Sequence, residues 1–167
     1  FEAAQGKKPD PILRLAAFTV LTVEDADRLR ERLRLSNDEH LRLVRAARTL
    51  AALHGIERAP PFSHLREMLF LCGGQAATDG LALAFSESGT QPQDAQWLEA
   101  ARYLDETPAP AFPIKGADLI ARGVAPGKEL GAALKTLQKE WIRAGFPRDP
   151  AVVMRLLEET LGDARAD

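Results

Sequence analysis

The chain has 167 residues, 46% of them hydrophobic, enough to close one substantial core or two small ones at typical domain sizes of roughly 100 to 150 residues. Its 22 Lys plus Arg against 24 Asp plus Glu leave a net charge of -2, so total charge announces no polyanionic partner, and any such partner must be read from where the charges sit. No apolar run approaches the roughly 20 residues that span a bilayer, the opening Phe1-Glu2-Ala3-Ala4-Gln5-Gly6-Lys7-Lys8 is too polar for a secretory signal, and the single Cys72 closes no internal disulfide, so a reducing cytoplasm is the expected compartment.

β-Branched and aromatic residues are sparse and nowhere alternate over five or six positions. The expected fold is therefore all-α, an irregular array of about nine helices. Without an initiating Met, the polar residues 1–8 read as the end of a preceding segment. Asp10 before Pro11 predicts an N-cap with proline at the first helical position, opening a helix over 12–21 with Leu15 and Phe18 on one face. Thr22 with Asp25, and Ser36 with Glu39, have capping-box spacing and place helices at about 23–34 and 37–53, the second ended by Gly55. Leu43, Ala47, Leu50 and Ala51, widened by Leu41 and Val44, give the latter a core-facing band. Pro60-Pro61 precedes an apolar helix over 65–72, where Cys72 is expected as a small buried hydrophobe. Gly73-Gly74 breaks the chain before a helix over 75–87. Gly89 and Pro92 frame another over 92–106, carrying Trp97, Leu98, Ala101 and Leu104.

Prolines at 108, 110 and 113 exclude regular helix from 107–113, which reads as an extended connector. Expected boundaries are thus a helical body over 9–106, the connector, and a helical tail over 114–167. The tail should hold a short helix at 116–122 stopped by Gly123, a long helix at 126–144 stopped by Gly145, and a last helix capped by Asp149-Pro150.

Residues with catalytic potential form no complete site. His40, His54, His64 and Cys72 match no zinc spacing and read as surface or capping residues. Asp25 and Asp27 have the i, i+2 spacing that would aim two carboxylates at a metal pair from a strand. In a first helical turn they face different ways and are explained by the helix dipole. Cys72-Gly73-Gly74 lacks the residues that complete a phosphate loop. No catalytic residue and no metal ligand is therefore expected, and no cofactor in this chain. The Arg28 to Arg34 run, with Glu31 among its arginines, reads as a salt-bridged surface.

The segment after the connector is different. Gly116, Gly123, Gly127 and Gly131 punctuate two helices joined by the turn Gly123-Val124-Ala125-Pro126-Gly127. Exposed N–H groups at the start of the long helix suit an anion such as a phosphate, and glycines one turn apart let another backbone approach. Along that helix Leu130, Leu134, Leu137 and Trp141 form a buried stripe, and Lys128, Lys135, Lys139 and Arg143 form a second, basic one. Such an edge gives salt-dependent, sequence-independent affinity for RNA; the plainer reading is a solvated face. Gly123, Gly127, Lys128, Gly131, Lys135, Lys139 and Arg143 are the candidate RNA-backbone-binding residues.

At Phe112-Pro113-Ile114-Lys115-Gly116-Ala117-Asp118-Leu119-Ile120-Ala121-Arg122-Gly123-Val124-Ala125-Pro126-Gly127-Lys128-Glu129-Leu130-Gly131, continuing to Leu134, Leu137, Trp141 and Gly145-Phe146, the sequence resembles the C-terminal region of bacterial class II CCA-adding tRNA nucleotidyltransferases, the class shared with bacterial poly(A) polymerases. Asp10-Pro11-Ile12-Leu13-Arg14-Leu15-Ala16 and Leu33-Arg34-Leu35-Ser36-Asn37 are similar to body segments of alphaproteobacterial members, so the likeness spans residues 9 to 146. It departs at Lys128, where a further proline is expected after Pro126-Gly127. The resemblance implies a poly(A) polymerase C-terminal-like helical array. It also implies a parent enzyme adding CCA to tRNA from CTP and ATP with Mg2+, its catalytic head and neck lying elsewhere in the same polypeptide. This chain, inactive alone, would grip the acceptor stem and elbow of tRNA by backbone and shape. Two other readings stand beside it: a helical interaction scaffold or homodimer surface without RNA contact, and a hairpin DNA binder built on 114–145.

Overall fold

Where most of the helices start is decided by a few side-chain oxygens. The computed structural model describes residues 1–163, which form nine α-helices and no strand: α1 (Pro11–Thr19), α2 (Val23–Leu33), α3 (Asn37–Leu53), α4 (Phe62–Cys72), α5 (Gly74–Glu87), α6 (Ala95–Glu106), α7 (Gly116–Ile120), α8 (Lys128–Arg143) and α9 (Pro150–Asp163). The last four residues of the expected 114–167 tail lie outside the described residues. Asp10 Oδ1 accepts from the N–H groups of Ile12 and Leu13, and both capping boxes form, Thr22 with Asp25 and Ser36 with Glu39. Each cap satisfies orphan donors at a helix start and stabilises by about 1 kcal/mol. α6 starts three residues later than expected because Asp94 caps it, accepting from the N–H groups of Gln96 and Trp97.

The helices group into two compact units, Phe1–Ala109 and the chain from Pro110 on. In the first, α3 and α5 pack against each other at the centre, with α1, α2 and α4 on α3 and with α4 and α6 also on α5. Leu43, Leu50 and Leu53 of α3 meet Leu81 and Leu83 of α5, Leu65 of α4 and Trp97 of α6. Burying each such side chain stabilises by about 1.5–3 kcal/mol. The backbones of α3 and α5 come close at Gly80, where a Cβ would fall 2.7 Å from Cβ of Thr49. Thr49 is buried and its hydroxyl donates to the Arg45 carbonyl at 3.0 Å, so it has no room to yield.

Phe18 is 88% exposed, because α1 turns Ala16 inward and leaves Phe18 on its outer side. Two expectations about this unit fail. Leu41 and Ala51 of α3 are exposed, since the buried stripe runs through Leu43, Val44, Ala46, Ala47, Leu50 and Leu53. Cys72, the last residue of α4, is exposed. The first eight residues pack onto this unit. Phe1 stacks on Phe85 with centroids 4.2 Å apart, Phe85 meets Trp97 edge-on, Glu2 accepts from the Asp10 N–H and Arg14, and Lys7 pairs with Asp105.

The second unit closes a smaller core. Ile114, Leu119, Val124, Leu137, Val153, Leu157 and Leu161 are buried, with Phe112, Leu130 and Leu134 against them. α8 packs on α7 and on α9. The expected hairpin is therefore two sides of a three-helix unit.

Candidate nucleic-acid interface

The tail motif is built from two helix endings of one design. After α7, the Val124 N–H donates to the Leu119 carbonyl and the Gly123 N–H to that of Ile120. After α8, the Phe146 N–H donates to Trp141 and the Gly145 N–H to Ile142. These are Schellman endings, which need a left-handed residue, and Gly123 and Gly145 supply it with φ of 89° and 79°. Phe146, itself at φ 62°, is buried edge-on against Trp141, whose Nε1–H donates to the Pro147 carbonyl at 2.8 Å. Asp118 closes the start of α7 by accepting from the Lys115 N–H at 2.7 Å. Arg122 ties the turn to α9 by donating to the Asp118 carbonyl and to Sδ of Met154.

Gly127, at φ 110°, brings the chain into α8 with no side-chain cap. From there the two stripes separate as the spacing implies. Leu137 and Trp141 are buried and Leu130 and Leu134 half-buried, whereas Lys128, Lys135, Lys139 and Arg143 are all exposed. At roughly 100° per residue the four cations fall within an arc of about 80°, on the side away from the buried stripe. Arg143 donates to both carboxylate oxygens of Glu140 at 2.8 Å, so its charge is partly spent within the helix. Gly131 is exposed on the same side, with no atom within 4 Å of where a Cβ would stand. Gly123 stands apart from this surface, in the turn, where it serves the Schellman ending.

No family model matches the chain. Over 160 residues, 93% of this chain, it is 22% identical to CCA tRNA nucleotidyltransferase 1, mitochondrial, of Mus musculus, covering 34% of that protein. Over 94 residues, 56% of this chain, it is 33% identical to the CCA-adding enzyme of Limosilactobacillus fermentum, covering 23% of it. The chain is similar to CCA-adding enzymes. A third likeness, 31% over 51 residues, is to the human CCA tRNA nucleotidyltransferase 1, mitochondrial, covering 30% of this chain and 12% of that protein. The chain thus spans about a third or less of the length of these curated relatives.

The residues present do not fit a pair of catalytic Mg2+ ions of the sort a CCA-adding reaction calls for. Asp25 accepts from the Thr22 N–H and hydroxyl, which, ahead of its backbone bond to Leu21 and the Arg28 charge, hold its carboxyl below the usual value. Asp27 instead bonds Nε2 of His40 at 2.7 Å, and Arg30 approaches the other ring nitrogen. His54 bonds Glu87. Among the described residues no group of three or more His, Cys, Asp or Glu could hold a metal ion.

One polar cluster was not legible in the sequence. Arg42 of α3 forks onto Asp79 of α5, Nε to Oδ2 at 2.8 Å and Nη2 to Oδ1 at 2.9 Å, and also donates to Asp10 at 2.7 Å, while Gln75 donates to Asp79 at 2.9 Å. The Asp79 hydrogen bond, followed by that of Asp10, raises the Arg42 pKa above its ordinary value against the cost of burial. Burial pushes the Asp10 carboxyl up, but Arg42 and the Leu13 and Ile12 N–H groups outweigh it and hold it below the usual range. The one available signal was an aspartate inside the otherwise apolar run of α5. With both carboxylates held by one guanidinium, the cluster is a structural tie among three helices.

Proposed function

We propose that this chain is the tRNA-holding C-terminal region of a CCA-adding nucleotidyltransferase of the bacterial class shared with poly(A) polymerases, alphaproteobacterial in type. The catalytic head and neck, with Mg2+, CTP and ATP, would belong to other parts of the same polypeptide. The observation that carries this reading is the exposed basic face of α8, set opposite its buried stripe. Likeness to CCA-adding enzymes over 93% of the chain supports the choice of tRNA as the polyanion.

Lys128, Lys135 and Lys139 present point charges on flexible stems and no planar fork. They neutralise phosphates without reading bases, the mode a protein accepting every tRNA needs. This chain holds and orients the substrate; the transfer of nucleotides is the head's work. Labelled tRNA should bind at low salt, with log K falling against log salt at a slope of about -2 to -3 for three phosphate contacts. Lys128→Glu with Lys139→Glu should remove most of that affinity and leave the melting temperature near its original value, and no nucleotide should be incorporated. Absence of tRNA binding at low salt, or indifference to the double reversal, sinks the reading.

A second reading has one observation in its favour. Phe18 in the last turn of α1, Leu21 in the link that follows and Leu33 at the end of α2 expose 88%, 59% and 53% of their surfaces, as an interaction scaffold or homodimer surface would. Light scattering separates the two, since a concentration-dependent dimer unaffected by tRNA supports the scaffold.

A further inference from the structure

Three glycines of the second unit have a reason within the fold: Gly123, Gly127 and Gly145 have positive φ. Gly116, at the first position of α7, and Gly162, in the last turn of α9, would accept a Cβ, at ordinary contact distance from Leu130 and into open space respectively. Gly131 has no reason of the first kind either, and it alone of these three stands among the lysines of α8. It is helical, exposed, outside the positive-φ set, and open space surrounds the position a Cβ would take. Glycine inside a helix costs about 1 kcal/mol relative to alanine. A cost with no return in the fold suits a position where something outside the chain must come closer than a side chain permits.

The surroundings of Gly131 say what that is. It lies between Lys128 and Lys135, with Lys139 one turn further, all exposed on the same side of α8. We infer that Gly131 is the point of closest approach of a ribose-phosphate strand running along α8, with Lys128 holding phosphate on one side of it and Lys135 and Lys139 on the other. This inference rests on the RNA-holding reading above and deepens it. Lys128 to Lys139 spans about 16 Å of helix, which at an axial rise of roughly 3.4 Å per nucleotide is a run of about five. The track fades at Arg143, which Glu140 holds. Positions 128, 131, 132, 135 and 139 carry no aromatic ring for a base to stack on, so contact is with sugar and phosphate, independent of sequence.

The experiment pairs stability with binding, using the whole chain and a labelled tRNA transcript. Gly131→Ala and Gly131→Gln both add a better helix former into open space, so both should raise the thermal midpoint. Gly131→Gln should weaken tRNA binding about tenfold, equivalent to about 1.4 kcal/mol, with net charge unchanged, and Gly131→Ala should weaken it less. Stabilised protein with weakened binding is the opposite-signed pair that a purely structural glycine cannot give. Unaltered tRNA affinity in Gly131→Gln overturns the inference while leaving the RNA reading standing, as does a lowered midpoint in either variant, which would mean the glycine serves the fold. If the unsubstituted chain does not bind tRNA, it is the underlying reading that fails.

Discussion

Arg42 meets two carboxylates at once, and only one of them is deeply buried: Asp79 is 2% exposed in the middle of α5. Arg42→Met would strand that charge, and leaving one partner of a buried pair unpaired costs about 3–5 kcal/mol. Following it with Asp79→Leu should restore much of the loss, since a buried pair replaced by apolar groups is often neutral. Denaturant melts of the two single variants and the double variant measure this coupling. Asp10 adds a pH dependence. Its folded pKa lies below the unfolded value of about 3.9, so its contribution is fully present above that pH and is lost as pH falls through the folded value. Asp10→Asn keeps a good N-cap but loses the charge, and should flatten the decline in stability below about pH 4. Sequence spacing revealed the cap but not the partner, because Arg42 and Asp79 are 37 residues apart and only the α3–α5 packing joins them. Cys72 was misplaced for a related reason: local apolarity does not say which side of a short helix faces inward.

Helix ends were the most legible feature, because caps are local chemistry. Thr22 with Asp25, Ser36 with Glu39, and Asp10 with Pro11 stand where their spacing placed them, and the boundaries of α2 and α3 follow within a residue. The late start of α6 was missed because Gly89 and Pro92 frame a turn, and Asp94, two residues on, is the true cap. In the second unit Gly123 and Gly145 were legible as stops, but not the bonds that make them so. Gly145→Ala would force a Cβ into a left-handed residue at a cost of about 1–2 kcal/mol. A drop in thermal midpoint, with the helical circular-dichroism signal kept below the transition, checks this.

At the scale of the molecule, near-neutral charge concealed how the cations are placed. Of the seven arginines that the sequence crowds between 28 and 48, three are engaged: Arg28 with Asp25, Arg30 with Asn37, and Arg42 with Asp79. The lysines of α8 have the solvent-facing side of their helix, which periodicity alone could place opposite the leucines but could not show to be uncovered within the unit. No helix of the described residues is long and apolar enough to cross a membrane. The chain carries two tryptophans, and the fold puts one indole into each unit, Trp97 in the first and Trp141 in the second, both almost wholly shielded from water. Each unit therefore has a built-in fluorophore of its own. Trp141→Phe silences the second and leaves the first to emit alone, so whichever emission band moves when tRNA is added identifies the unit that receives it, without any attached dye.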